Sequence, residues 1–359
     1  MTDDMIPKQT AMATSPNEQR GDSLQPFAAR LMRGENLQRD EAAQLINAML
    51  QDAATDAQIA AALISLAIKG ETADELAGMA GVMRSLAVRI KCEHAKFIDT
   101  AGTGSSRAKT FNVSTAAAFV VAGAGLPVAK HGGRAATSRS GSADALTSLG
   151  VNVSTSPEAS QRCLNETGMC FMFAPLYHGA TARVAAIRRE LGVPTSFNLL
   201  GPLTNPAAAP FQIIGVWRHT LVKPMAEALL ALGTKRAWVV HGVDGLDEVT
   251  LAGTTFVAEA CEGSIREFEI EPADFGLERV SVTSLPRGDA EVSARLIREI
   301  LEGVRHGEAR DLVVINAAAA LFVGGAASSF LEAGRMAKES LDSGSALGKL
   351  NDLARATNE

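Results

Sequence analysis

Aromatic residues, cysteines and long apolar runs are all scarce in this chain. Aromatics account for only 4% of its 359 residues, with one Tyr and two Trp, so its helices carry little bulk and can pack closely. The four cysteines, Cys92, Cys163, Cys170 and Cys261, show no Cys-x-x-Cys spacing. That excludes the common zinc motifs and reads as reduced thiols of a cytoplasmic protein. Cys170 sits inside an apolar run and reads as core. No stretch is long and apolar enough to span a bilayer. Neither common nucleotide fingerprint occurs: Arg107 stands where a dinucleotide loop beginning at Gly102 needs its third glycine, and there is no Gly-Lys-Ser/Thr P-loop. There is no internal repeat. The formal net charge of −6 argues against nucleic acid or an anionic membrane as the main partner, though not against a local basic pocket. Residues 1–22 are polar and lack an apolar centre, which reads as a disordered leader rather than a signal peptide.

What remains is an ordinary globular composition, 47% hydrophobic and 21% charged, long enough for two domains. Residues 23–92 read as helical and alanine-rich. Apolar residues recur at helical spacing after Asp40, a second helix runs from about Gln58 to Lys69 before Gly70, and Thr72-Ala-Asp-Glu75 resembles a capping box. Beyond Lys91 short apolar strands alternate with helices. Strands are expected at 126–129, 170–174, 211–216 and 237–240, and helices at 115–123, 142–149, 180–191 and 221–232. This pattern implies an α/β fold with a mainly parallel sheet covered on both sides. Ligands in such sheets sit at the carboxyl ends of strands, and the loops at 99–106, 130–142, 174–179 and 241–248 all follow expected strands.

The most informative stretch is Asp99-Thr-Ala-Gly-Thr-Gly-Ser-Ser-Arg-Ala-Lys-Thr-Phe-Asn-Val-Ser-Thr115. It joins an apolar run to a glycine turn and a hydroxyl-rich helix start, and Lys130-His-Gly-Gly-Arg134 follows. Taken alone the glycine loop is equally a tight strand-to-helix turn. With Lys130, Arg134, Ser138 and Ser142 added, the pattern points to an anion site. His241-Gly-Val-Asp-Gly-Leu-Asp247-Glu248 offers two adjacent carboxylates that suit a hard cation such as Mg²⁺, although a bare pair is more often a solvated turn. Residues 197–206, broken by Gly-Pro and Asn-Pro, read as a rigid loop or hinge. Arg183, Arg188 and Arg189 share one helix, where one facing a cleft would bind a carboxylate. His131 and His178 could titrate near pH 7, yet lone histidines are more often structural.

Together these segments resemble the anthranilate phosphoribosyltransferase family over essentially all of residues 25–345. The matching blocks are Asp56-Ala-Gln-Ile59 with Lys69-Gly-Glu-Thr72, Gly102-Thr-Gly104, Thr110-Phe-Asn-Val-Ser-Thr115, Lys130-His-Gly132, Ser140-Gly-Ser-Ala-Asp144, Phe173-Ala-Pro175, Tyr177-His178, Arg188, Arg189-Glu-Leu-Gly192, residues 197–206 and residues 242–248. The resemblance implies a small all-helical domain, residues 23–92 completed by about 182–206, hinged to a larger α/β domain of residues 93–181 and 207–359. It also implies a homodimer through the helical domain. The implied reaction moves the phosphoribosyl group of phosphoribosyl pyrophosphate (PRPP) to the amine of anthranilate, a step of tryptophan biosynthesis.

By the same resemblance PRPP would be surrounded by Gly102, Ser105, Ser106, Thr110, Asn112, Val113, Ser114, Thr115, Lys130, His131, Gly132, Gly133, Arg134, Ala135, Ala136, Thr137, Ser138 and Ser142. Ser114, Asp247 and Glu248 would hold Mg²⁺, as a pair of ions. Anthranilate would meet Arg188, with Gly102, Gly133 and His178 beside it. No residue is required as an obligatory base. The chain departs from the family pattern at Ser106, where many relatives carry an acid, and at Gly133, Gly179 and Pro194. A PRPP-dependent transfer to another acceptor, pyrimidine nucleoside phosphorolysis, a nucleic-acid-binding relative of the fold and a catalytically silent scaffold are the competing readings. The retained Asp247-Glu248 pair and the acidic net charge weigh against the nucleic-acid reading.

Overall fold

A computed structural model describes residues 24–51, 53–104, 106, 108, 110–134, 140–285 and 289–359. The leader at 1–22 lies outside these, as do Ser105, Arg107, Lys109 and positions 135–139. The described N-terminal part is four helices: α1 (Gln25–Met32), α2 (Arg39–Leu50), α3 (Asp56–Lys69) and α4 (Ala73–Leu86). Capping boxes open α3 and α4, where Thr55 and Thr72 accept from the backbone N–H of Gln58 and Glu75. Glu75 is fully buried and does more than cap. It accepts from the Leu37 N–H at 2.9 Å and pairs with Lys69 at 2.9 Å, so one carboxylate ties three segments together.

The second part is a seven-stranded sheet ordered β3-β2-β1-β4-β5-β6-β7. The strands are β1 (Ile98–Gly102), β2 (Val128–Gly132), β3 (Met169–Phe173), β4 (Phe211–Gly215), β5 (Arg236–Gly242), β6 (Thr255–Cys261) and β7 (Ser264–Ile270). The first five are parallel, and β6 and β7 are antiparallel. Between them run α5 (Val113–Gly123), α6 (Ser142–Ser148), α7 (Pro157–Thr167), α8 (Ala174–Tyr177), α9 (Ala182–Leu191), α10 (Ser196–Leu203) and α11 (Val222–Ala231). After the sheet come α12 (Ala290–Leu301), α13 (Glu308–Val323), α14 (Phe330–Asp342) and α15 (Ser345–Asn358). Successive strand residues face opposite sides. Ile213, Trp238 and Val240 pack under α5 and α13, whereas Ile214, Ala237 and Val239 pack under α11. That second core continues without a break into α1–α4 and takes in Val184, Ile187, Phe197, Leu200 and Leu203 of α9 and α10. The chain is a small helical domain beside a larger α/β domain with a mostly parallel sheet.

Several sequence expectations are corrected, among them the loops expected from 99 and 241, since β1 runs on to Gly102 and β5 to Gly242. Residues 196–203 form a helix, not a loop. Thr195 caps it, four apolar residues bury, and Pro202 stands so near the end that its missing N–H forfeits a single helical bond. Strand β2 starts at Val128 instead of 126 and runs on to Gly132, so Lys130 and His131 lie in the strand rather than after it. Pro127 has no N–H for the ladder, and parallel pairing with β3 sets the register from Val128↔Met169 to Gly132↔Phe173. The antiparallel β6–β7 hairpin was not foreseen. Its two-residue turn places Glu262 and Gly263 at positive φ, the geometry that matches strand twist.

Candidate active site

Strands β1, β2, β4 and β5 all end in glycine on one edge of the sheet, at Gly102, Gly132, Gly215 and Gly242. The order in which strands are added reverses at the parallel pair β1 and β4, because β2 and β3 lie on one side of β1 and β4 and β5 on the other. A crevice opens at such a switch point. The loop at 243–248 lies across it. A methyl group on Gly215 would collide with the backbone carbonyl of Asp247, and one on Gly102 would stand 3.5 Å from Asp247 Oδ2. Bare strand ends therefore let the two carboxylates settle over the switch point. Gly215→Ala is expected to lower metal-dependent turnover by about 100-fold through displacement of this loop. Steady-state rates at varied Mg²⁺ check it, and parental rates would show that the loop does not need the space.

The crevice holds a small cleft lined among others by Thr100, Ser114, Gly215, Glu248 and Asn316. Burial first, and then the charge of Asp247, push the Glu248 carboxyl up to about 8, while Lys130 and the Ser114 N–H pull it back. Lys130 is 2% exposed. Its ammonium donates to the Thr100 carbonyl, and at 3.4 Å to the hydroxyls of Thr100 and Ser114. Burial lowers its pKa, against the charges of Asp99 and Glu248. Among the described residues no group of three or more His, Cys, Asp or Glu could hold a metal alone. Two carboxylates and one hydroxyl fit Mg²⁺, which keeps waters and takes substrate phosphate oxygens rather than an all-protein cage.

The other residues expected around PRPP fall into distinct places. Ser106 is buried and donates to the Gly245 carbonyl at 2.7 Å, stitching the glycine loop to the carboxylate loop. Asn112 Oδ1 accepts from Ser140 and Ser293 at 2.8 and 2.7 Å. Val113 and Thr115 are fully buried in α5. Thr110 turns its hydroxyl to the Phe111 carbonyl. Gly132 has no room for a side chain because Ser142 and Phe171 press against it, whereas among the described residues nothing stands within 4 Å of a methyl group on Gly133. Ser142 donates to the Gly133 carbonyl. Arg134 pairs with Asp144 at 2.8 Å on the surface. Ser105, Ala135, Ala136, Thr137 and Ser138 lie outside the described residues.

Helix α10 connects His131 to Arg188. Its Gly201 carbonyl lies 3.1 Å from His131 Nδ1, and one turn earlier Asn198 Oδ1 accepts from Arg188 Nη2 at 3.0 Å. Thr195 accepts from Arg188 Nε at 3.1 Å, and the guanidinium lies over the Phe197 ring at 5.4 Å. Burial pushes the Arg188 pKa down to about 10. Among the described residues its partners are neutral, so the charge is left for a ligand. Neither histidine charges near pH 7. Burial, then the neighbouring His178 ring at 5.1 Å, push His131 down to about 3, and burial lowers His178. That corrects the expectation that they could titrate near neutrality.

His131 also sets an acid limit on stability. Its folded pKa lies below the ~6.5 of an unfolded histidine, so the unfolded chain takes up the proton first as pH falls. Stability is untouched by this group above about pH 6.5 and falls below it, by up to ~1.4 kcal/mol per pH unit. Asp99, pushed by burial up to about 6, acts in the opposite sense, so the comparison must be with a variant. Urea unfolding at pH 7 and pH 5 is expected to show a flatter acid limb for His131→Gln than for the parent. Identical limbs would remove His131 as the cause.

Sequence reasoning missed Gly215, Asn205 and Asn316. Asn205 donates to Asp99 Oδ2 at 2.7 Å and to the Ala129 carbonyl at 2.8 Å, joining the end of α10 to β1 and β2. Its only sequence signal was the Asn-Pro break. Asp99 was noticed as the acid that ends an apolar run, without a role.

Known proteins match throughout. Residues 25–87 match the helical bundle domain of the glycosyl transferase family, and residues 94–347 match its a/b domain. An anthranilate phosphoribosyltransferase from Azorhizobium caulinodans is 47% identical over 93% of this chain and 96% of its own length. One from Moorella thermoacetica is 48% identical over 92% and 97%. The crystal structure of the Thermus thermophilus anthranilate phosphoribosyltransferase superposes with a TM-score of 0.86 at 38% identity, covering 92% of this chain and 99% of that one. The Saccharomyces cerevisiae enzyme in complex with PRPP and Mg does so with 0.85 at 27% identity, covering 94% and 99%. Likeness of this extent, spanning both domains, makes the chain a member of the anthranilate phosphoribosyltransferase family.

Proposed function

We propose that the chain transfers the phosphoribosyl group of PRPP to the amine of anthranilate. The observation that carries this reading is the carboxylate pair Asp247–Glu248 seated over the β1–β4 switch point with Lys130 buried beneath it. The new bond joins the anthranilate nitrogen to C1 of the ribose, the bond from C1 to pyrophosphate breaks, and the amine proton leaves to solvent. Asp247, Glu248 and Ser114 would hold Mg²⁺, as two ions per subunit, and the metal would supply neutralising charge for the pyrophosphate. Gly104, at positive φ in the loop that follows β1, lets phosphate oxygens approach the backbone. The Lys130 ammonium adds positive potential from below. Arg188 grips the anthranilate carboxylate through its planar fork. Neutral His131 and His178 flank the acceptor without competing for protons. An aromatic amine is nucleophilic when neutral, so positioning and charge stabilisation carry the rate.

The reading extends to assembly and location. No helix of the described residues is long and apolar enough to cross a membrane, and the four cysteines are free thiols, as suits the cytoplasm. Met32 on α1 and Ile68 on α3 stand 76% and 81% exposed, an apolar surface suited to burial against a second copy. Loss of anthranilate fluorescence on mixing with PRPP and Mg²⁺, with each omitted in turn, tests the activity. Loss that needs all three is expected. Unchanged fluorescence with PRPP still bound would transfer the search to another acceptor.

A further inference from the structure

Asn316 is out of place in α13. The run Leu312-Val-Val-Ile-Asn316-Ala-Ala-Ala-Ala-Leu321 is otherwise apolar and fully buried, and Asn316 itself is 5% exposed. A carboxamide taken out of water without partners costs several kcal/mol. Here the partners are specific. Oδ1 accepts from the Val249 N–H at 2.9 Å, while Nδ2 donates to the Val249 carbonyl at 2.9 Å and to the Leu312 carbonyl at 2.8 Å. Two bonds to the N–H and C=O of one residue fix the orientation of the amide, because a flip would set oxygen against oxygen and N–H against N–H. The side chain thus grips Val249 as a neighbouring strand would.

Val249 directly follows Asp247 and Glu248, and Asn316 lines the same cleft as Glu248 and Ser114. The chain from Val243 to Thr254 is neither helix nor strand, so no ladder holds these carboxylates. What holds them there includes the two bonds from Asn316 to Val249, the residue that follows Glu248. The helix of Asn316 packs along α5, whose first turn carries Ser114, so Ser114 and Glu248 are placed by one rigid pair of helices.

We propose that Asn316 is a positioning residue for the cation-binding carboxylates: it holds Asp247 and Glu248 in the cleft ahead of cation arrival, without touching cation or substrate. The inference rests on reading that pair as the cation site. Asn316→Ser tests it, because a serine hydroxyl can still bond the Leu312 carbonyl but cannot reach Val249. Mn²⁺ is the probe, and its free concentration is read by electron paramagnetic resonance with PRPP present. The dissociation constant is expected to rise by about 10- to 100-fold, with anthranilate KM unmoved. Asn316→Leu, which preserves side-chain volume, should do the same and guards against a folding failure of the serine variant. A merely stabilising asparagine would lower the melting temperature and leave Mn²⁺ affinity as it was, and that result overturns the proposal. Asp247→Asn with Glu248→Gln in the same titration separates the two ideas. Parental Mn²⁺ binding in that double variant defeats the cation reading itself. Binding lost there but retained in both Asn316 variants defeats the role of Asn316 alone.

Discussion

Arg188→Ala raises the KM for anthranilate by about 100-fold and leaves the KM for PRPP nearly unchanged. The magnitude follows from the environment of the guanidinium. Truncating one partner of a desolvated charge pair costs about 2–5 kcal/mol, roughly 30-fold or more in affinity. Arg188 qualifies because Thr195 and Asn198 hold its fork but carry no charge to answer it. The desolvation that depresses its pKa is therefore already present before the ligand arrives, and a carboxylate that docks there meets an oriented, poorly solvated cation. Arg188→Lys is expected to recover only part of the loss, since an ammonium cannot make two parallel bonds. Steady-state kinetics with each substrate varied in turn decides the matter. Equal rises in both KM values would take Arg188 out of the acceptor role.

Asp247→Asn combined with Glu248→Gln is expected to abolish Mg²⁺-dependent turnover, by about 1,000-fold or more, while leaving the fold intact or more stable. The two effects have one cause. Burial, and then the charge of Asp247, disfavour the ionised form of Glu248. Isosteric amides remove both penalties and, with them, the negative charge that attracts the cation. Loss of metal response together with an unchanged or raised melting temperature is the expected pairing. An unchanged metal response would end the assignment.

Much of this was legible in the chain. Thr72 and Glu75 marked the start of α4, and helix–strand alternation from residue 93 onward pointed to a mainly parallel sheet. Expected loops at 99–106, 130–142 and 241–248, each after a strand, pointed to the site edge. The illegible parts share a cause. Pro202 reads as a breaker because its cost is local, whereas the burial of Phe197, Leu199, Leu200 and Leu203 that outweighs it is tertiary. The histidines looked titratable because a sequence carries no solvent exposure. Arg183 and Arg188 looked alike on one helix, yet one pairs with the exposed Asp56 and the other lies half-buried among neutral partners.

The sequence by itself determined the order of elements, the two-part architecture and which residue types could carry phosphate, cation and carboxylate chemistry. These depend on short-range periodicity, capping and turn chemistry, which neighbouring residues settle among themselves. Only the tertiary structure decided which charged groups keep their charge available and which residues hold them. Gly215 matters because Asp247 crosses above it, and Asn316 because Val249 lies against it from 67 residues away. Desolvation and close approach are properties of the packed interior, and they come into being only when distant segments meet.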